Sequence, residues 1–103
     1  MRASDITINT SVLNNGLHNA DLDFNAFSSI EENNYFELNI NDISIKLNVH
    51  SDMSINDFTE WLANNYNNNY DFYSIATASN NSTVLNIISK TTDSLNIDYD
   101  FNG

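Results

Sequence analysis

The sequence has no cysteine and no proline, only two glycines, and only three cationic side chains, Arg2, Lys46 and Lys90. Without cysteine there is no disulfide framework, no cysteine-ligated zinc and no thiol nucleophile. Without proline, no rigid linker marks a domain boundary. With glycine confined to Gly16 and Gly103, there is neither a phosphate-cradling loop nor a Gly-x-Ser-x-Gly nucleophile elbow. Three cations cannot neutralise a row of phosphates, which excludes nucleic acid as a partner, and an anionic membrane surface is disfavoured for the same reason. No run approaches the roughly 18 apolar residues of a membrane-spanning helix, so membrane insertion is not expected. The opening Met-Arg-Ala-Ser-Asp lacks the apolar stretch of a signal peptide.

What is present is acid and asparagine. Fourteen Asp and Glu give a formal net charge of −11, which suits a soluble, self-repelling surface, a basic partner or a bound cation. The 21 Asn favour turns and caps and say more about an AT-rich coding sequence than about chemistry. The chain is 103 residues long and 41% hydrophobic, enough for one small core and one domain.

Hydrophobic periodicity places the elements. Ile6 and Ile8 alternate in a short strand over 5–10, and Asn14-Asn15-Gly16 is a turn signal. Leu22, Phe24, Phe27 and Ile30 fit neither the strand nor the helix period. Residues 1–34 are therefore read as an N-terminal strand and an irregular segment of the same domain, and residues 35–103 as a ββαβββ unit. From Tyr35 the pattern sharpens. Phe36, Leu38 and Ile40 alternate, as do Ile43, Ile45, Leu47 and Val49. A two-residue turn at Asn41-Asp42 pairs 40 with 43, 38 with 45 and 36 with 47, placing every large apolar side chain on one face.

A helix follows, with Ser54 as N-cap, Asp57 three residues on, and Met53 and Phe58 in the positions of a hydrophobic staple. Ile55, Phe58, Leu62 and either Trp61 or Tyr66 form its apolar stripe, and the Asn run near 64–69 ends it. Three strands complete the chain. The first covers 72–78, and a turn at 79–82 leads to the second, 83–89, with Leu85 and Ile87 on one face. After a turn at 91–94 comes the third, in which Leu95, Ile97, Tyr99 and Phe101 alternate. The expected fold class is α+β, an antiparallel sheet in ββ-α-βββ order with one helix packed on one face, covering strands that include the 36–49 hairpin.

The candidate chemistry is sparse. Asp21, Asp23 and Asn25, with Ser29 and Glu32, have the spacing of a calcium loop, but Ala26 stands where the sharp turn needs glycine. Asp98-Tyr99-Asp100-Phe101-Asn102-Gly103 echoes this stretch and reads as an edge strand. His18 and His50 lack local partners for a metal site. A carboxylate pair for glycoside hydrolysis would need a concave cleft. Trp61, Tyr66, Tyr70, Phe72 and Tyr73 are candidates for stacking on a sugar or partner, with Trp61 and Phe72 assigned to the core. Asn9, Asn80 and Asn81 stand in glycosylation sequons. No catalytic residue, cofactor or metal is assigned.

Several motifs align with one known family. They are Phe36-Glu37-Leu38-Asn39-Ile40-Asn41-Asp42-Ile43-Ser44-Ile45, then Asp52-Met53-Ser54-Ile55, then Tyr73-Ser74-Ile75-Ala76-Thr77-Ala78, and last Val84–Thr92 with Leu95-Asn96-Ile97. Together they make residues 35–99 resemble the flagellar hook IN motif, a module of flagellins, hook-associated proteins and filament caps. Two positions depart from the pattern: Leu62-Ala63-Asn64 replaces an Ile-Asn pair in the helix, and Asp93 replaces a glycine. The resemblance implies an outer domain of a longer protein. It also implies a structural, non-enzymatic role, an extracellular location on the bacterial flagellum, and copies of the same or related flagellar proteins as partners. The alternative is a secreted or surface binding module for calcium, a glycan or a basic protein partner. An enzyme fragment with its catalytic residues elsewhere is a third reading.

Overall fold

The computed structural model describes residues 5–103. The strands are β1 (Thr7–Val12), β2 (His18–Asp23), β3 (Tyr35–Ile40), β4 (Ile43–Asn48), β5 (Ala76–Asn81), β6 (Val84–Ser89) and β7 (Ile97–Phe101). The helices are α1 (Ile55–Asn67) and the single turn α2 (Tyr70–Tyr73). The fold is α+β, with a helix packed on an antiparallel sheet. The strands divide between two sheets, one of order β1-β2-β6-β5 and one of order β4-β3-β7.

The β3–β4 hairpin has the register the sequence dictates: Phe36 faces Leu47, Leu38 faces Ile45 and Ile40 faces Ile43. Asn41, first of the two turn residues, sits at φ 52°. Positive φ at this position is what the primed hairpin turns demand, and Asn tolerates it better than most side chains. α1 starts where the capping pattern puts it, with the Ser54 hydroxyl accepting from the Asp57 N–H at 3.1 Å. Ile55, Phe58, Thr59, Leu62, Ala63 and Tyr66 form its buried stripe, and Trp61 is only half-buried.

Residues 11–34, weakly patterned in sequence, hold the second strand of the larger sheet. β2 runs between β1 and β6, with Leu22 opposite Ile8 and Leu85, and Ala20 opposite Thr10 and Ile87. The apolar residues that fit no period continue from the end of β2 into the core, where Phe24, Phe27 and Ile30 are buried. Phe24 meets Phe36, Phe58 and Phe101 edge-on, at centroid distances of 5.5, 5.4 and 6.1 Å. One ring thereby joins both sheets and the helix. Ile30 and Met53 exchange backbone hydrogen bonds at 2.9 Å, which pins the irregular segment to the approach to α1.

Four expectations are corrected. The strand expected over 72–78 is strand only from residue 76 on. Asn69 caps a helical turn by accepting from the Phe72 N–H at 3.1 Å, and the strand begins only at Ala76. The turn expected over 79–82 is the two-residue Ser82-Thr83, with Ser82 at φ 56°, so that Asn81 pairs with Val84. β7 does not extend the β5–β6 hairpin; it crosses to the other sheet and pairs with β3, Phe36 facing Phe101. α1 packs chiefly on β5 and β6 rather than on the 36–49 hairpin. The small side chains of Ala76 and Ala78 let the helix approach closely there. Through Phe58, which stacks on Phe101 at 5.9 Å, α1 also reaches the smaller sheet.

Candidate functional site

The outer face of the four-stranded sheet is lined by polar side chains. Strand alternation sends Asn9, Asp21, Asn86 and Ser79 to it in one row, with Asn19 above and Asp23 below. These groups bond to one another. Asn86 Nδ2 donates to Asn19 Oδ1 at 2.7 Å and to Asp21 Oδ1 at 2.6 Å, and Asn19 Nδ2 donates to Asp21 Oδ2 at 3.3 Å. Thr83 Oγ1 and the Asn25 N–H both donate to Asp23 Oδ1, at 2.8 and 3.0 Å. A shallow depression of about 460 Å³ lies over this network, lined by Asn9, Asp21, Asp23, Ser79, Asn81, Val84 and Asn86.

The calcium spacing does not become a calcium loop. Asp21 and Asp23 stand on β2, Asn25 lies just beyond it, and exposed Glu32 follows the Ile30–Met53 bridge, its N–H donating to Asp52 Oδ1 at 2.8 Å. Among the described residues, no three His, Asp or Glu side chains gather in the manner of a metal site. His18 opens β2, with Nε2 at 3.2 Å from the Thr92 carbonyl, and His50 is exposed beyond β4. Of the sequon asparagines, Asn9 and Asn81 are exposed, while Asn80 is half-buried with Nδ2 at 3.4 Å from Thr59 Oγ1.

The outer face of the smaller sheet carries Lys46 with its ammonium 4.1 Å from the Tyr35 ring centroid. The Tyr35 hydroxyl donates to Asp100 at 2.9 Å. That hydrogen bond, followed by desolvation and the charges of Asp100 and Glu37, raises the phenol above its ordinary pKa. Tyr99 is also raised, first by burial and then by Asp98 and Asp5.

The aromatic candidates separate by depth. Tyr66 and Phe72 are buried with ring centroids 5.3 Å apart, and Trp61 stacks on Phe58 at 6.1 Å. Tyr70 and Tyr73 are 83% and 47% exposed and rim an open depression of about 540 Å³ with Asn68, Ser74 and Lys90. The Lys90 ammonium lies 3.4 Å from the Tyr73 centroid. Both lysines of the chain therefore sit on tyrosine faces. The aromatic run in the sequence pointed to this patch, and the capped turn α2 decides which rings face outward. The Asn19–Asp21–Asn86 network was not foreseen, because β2 has too few apolar residues to show as a strand.

The sheet edges differ in protection. On β5, Asn67 Nδ2 donates to the Ala78 carbonyl at 2.7 Å and Asn67 Oδ1 accepts from the Ala78 N–H at 2.8 Å. Thr59 Oγ1 donates to the Ser82 carbonyl at 2.6 Å. β4 and β7 carry Lys46, Asp98 and Asp100, charges that discourage strand addition. β1, Thr-Ile-Asn-Thr-Ser-Val, carries none, and its Val12 is 62% exposed. No helix among the described residues is long and apolar enough to cross a membrane. Compared with known proteins, the chain matches no family model, no curated protein and no solved structure.

Proposed function

We propose that this chain is a non-enzymatic structural and interaction domain, an outer domain of a bacterial flagellar filament, hook-associated or cap protein. One observation carries this reading. The polar side chains of the larger sheet's outer face are bonded to each other, Asn86 holding both Asn19 and Asp21, under a shallow, open depression. Such a face presents a fixed pattern of acceptors and donors to a neighbour, whereas catalysis asks for groups converging on a cleft. The motif resemblance of residues 35–99 supports this parent assembly, in which the domain would lie outside the cell among copies of the same or related proteins. Gold-labelled antibody raised against the domain tests this on source cells. Label along flagella or at their tips is the expected result. Label confined to the rest of the cell surface would remove the flagellar parent.

A second reading, a saccharide-binding surface module, is favoured by Tyr70 and Tyr73. Exposed aromatic faces beside Asn68, Ser74 and Lys90 offer a stacking surface with polar groups at its rim. Amide NMR titration with neutral and acidic oligosaccharides tests it. Shifts at 68–74 and 90 that vanish in Tyr70→Ala support this reading, and unchanged spectra at millimolar sugar remove it.

A further inference from the structure

Strand direction in the larger sheet can be followed bond by bond. Leu13 N–H donates to the Leu17 carbonyl at 2.8 Å, in line with the β1–β2 register, and Phe24 N–H donates to the Thr83 carbonyl at 2.9 Å, in line with β2–β6. Backbone groups alternate sides along an antiparallel strand. The odd-numbered residues of β1 therefore turn toward β2, and Ile8, Thr10 and Val12 turn their N–H and C=O groups to the outer edge. The same alternation sends Ala78 of β5 outward, where Asn67 takes both of its groups. No hydrogen bond to Ile8, Thr10 or Val12 covers the β1 edge among the described residues. The open stretch begins after Ile6, whose carbonyl accepts from the Tyr99 hydroxyl at 3.5 Å.

We propose that β1 pairs antiparallel with β1 of a second copy about a two-fold axis through Thr10, joining two four-stranded sheets into one. This rests on the interaction-domain reading above and names its partner and contact. The register is self-complementary. Thr10 faces its own copy, and Ile8 faces Val12 of the second copy twice over. These are the residues that point outward, so each facing pair exchanges two backbone hydrogen bonds, about six in all. On the core-side face of the sheet, exposed Val12 gains a β-branched neighbour in Ile8, a favourable cross-strand pair. On the opposite face Asn9 meets Ser11. Shifting the register by two residues loses a pair, and shifting it by one sets core-side residues against outward ones.

Charge favours this edge over the others. A body carrying −11 repels its copy, yet Thr7–Val12 contains no ionised side chain. Asp21, one strand inward, would lie about 16 Å from its symmetry mate, three strand spacings of ~4.8 Å across and two residues along. That exceeds the Debye length of about 8 Å at physiological ionic strength. Association should therefore strengthen as salt is raised from low ionic strength, where the −11 bodies repel, to the physiological range.

Because the chain has no cysteine, single replacements report the register directly. Thr10 is exposed, and hydrogen-bonded antiparallel partners stand about 5.5 Å apart at Cα, within disulfide reach. Under mild oxidation at matched concentration, Thr10→Cys is expected to form covalent dimer at least tenfold faster than Ser44→Cys, an exposed control on β4. Ile8→Cys and Val12→Cys are expected to cross-link when mixed and slowly when alone. In sedimentation equilibrium the parent chain should show a dimer that grows with salt up to the physiological range, and Thr10→Lys, with like charges facing, should be monomeric with unchanged circular dichroism. Equal cross-linking of Thr10→Cys and Ser44→Cys, or a parent chain that stays monomeric at every concentration and salt, overturns the pairing. Flagellar labelling is read independently, so failure here leaves the broader reading to its own test.

Discussion

Asn67, the last residue of α1, forms with Ala78 a two-bond contact that imitates a strand: Nδ2 donates to the carbonyl at 2.7 Å and Oδ1 accepts from the N–H at 2.8 Å. A carboxamide is the smallest side-chain group with donor and acceptor side by side, as a backbone amide presents them. Together with Thr59 on Ser82, it lets the helix close the β5 edge.

Removing that group should be felt. Asn67→Ala leaves both Ala78 groups without their partner and is expected to cost about 1–3 kcal/mol, read by urea unfolding. Asn67→Asp keeps the acceptor and loses the donor. Its deficit should shrink on acidification, as the protonated carboxyl regains a hydrogen to donate. A deficit independent of pH would show that the donor half of the contact contributes nothing.

Tyr66 offers the opposite case. Its hydroxyl is buried with no hydrogen-bond partner among the described residues, so Tyr66→Phe is expected to hold or raise stability, by up to about 1 kcal/mol. Burial, and secondarily the charge of Glu37, pushes this phenol far above its ordinary 10.0. The folded state therefore holds a proton that the unfolded chain releases above about pH 10, and stability must fall as pH rises from there. Below pH 10 the contribution is fully present. The slope should be less steep by one proton in Tyr66→Phe, about 1.4 kcal/mol per pH unit. Absorbance near 295 nm should show one of the five tyrosines ionising only as the protein unfolds.

Loss of Phe24 should spread across several elements, because its ring meets Phe36, Phe58 and Phe101 at once. Phe24→Ala is expected to cost about 3–5 kcal/mol, a large part of the roughly 5–15 kcal/mol typical of a domain. Phe24→Leu should cost less. Denaturant unfolding with separate probes on the two sheets would show whether they still melt together.

Calcium should act on this protein as salt does. Asp21 and Asp23 stand on a strand with their oxygens bonded to Asn86, Asn19, Thr83 and the Asn25 N–H. Millimolar calcium chloride is expected to raise the melting temperature no more than sodium chloride of equal ionic strength, through screening of the −11 charge. A larger, chelator-reversible rise would reveal a specific site, since a ligand of the native state stabilises by mass action.

The sequence announced the elements whose determinants are local. The β3–β4 register follows from alternation plus a two-residue turn, and the start of α1 from one serine. It concealed β2, where His18, Asn19 and Asp21 fill the positions of a half-exposed strand and only Ala20 and Leu22 face the core. It also concealed the split into two sheets. The alternation of Ile97, Tyr99 and Phe101 says that one face is buried, not against which strand, and that choice is made by Phe36 and Phe24 far away in the chain. The polar surface network was hidden for the same reason, since Asn86 and Asp21 become neighbours only once β2 lies beside β6. Exposed Tyr70 and buried Tyr66 read alike in sequence, and a capped helical turn at Asn69 separates them.

The pairing of β3 with β7 also sets a timetable. Phe36 meets Phe101, and Tyr35 bonds Asp100 across 65 positions of sequence, so the smaller sheet stays incomplete until β7 has been synthesised. Until then Phe36, Leu38 and Ile40 lack the neighbour that covers them in the finished protein. Such distant closure slows folding and lengthens the interval in which a nascent chain keeps these apolar side chains open to other chains.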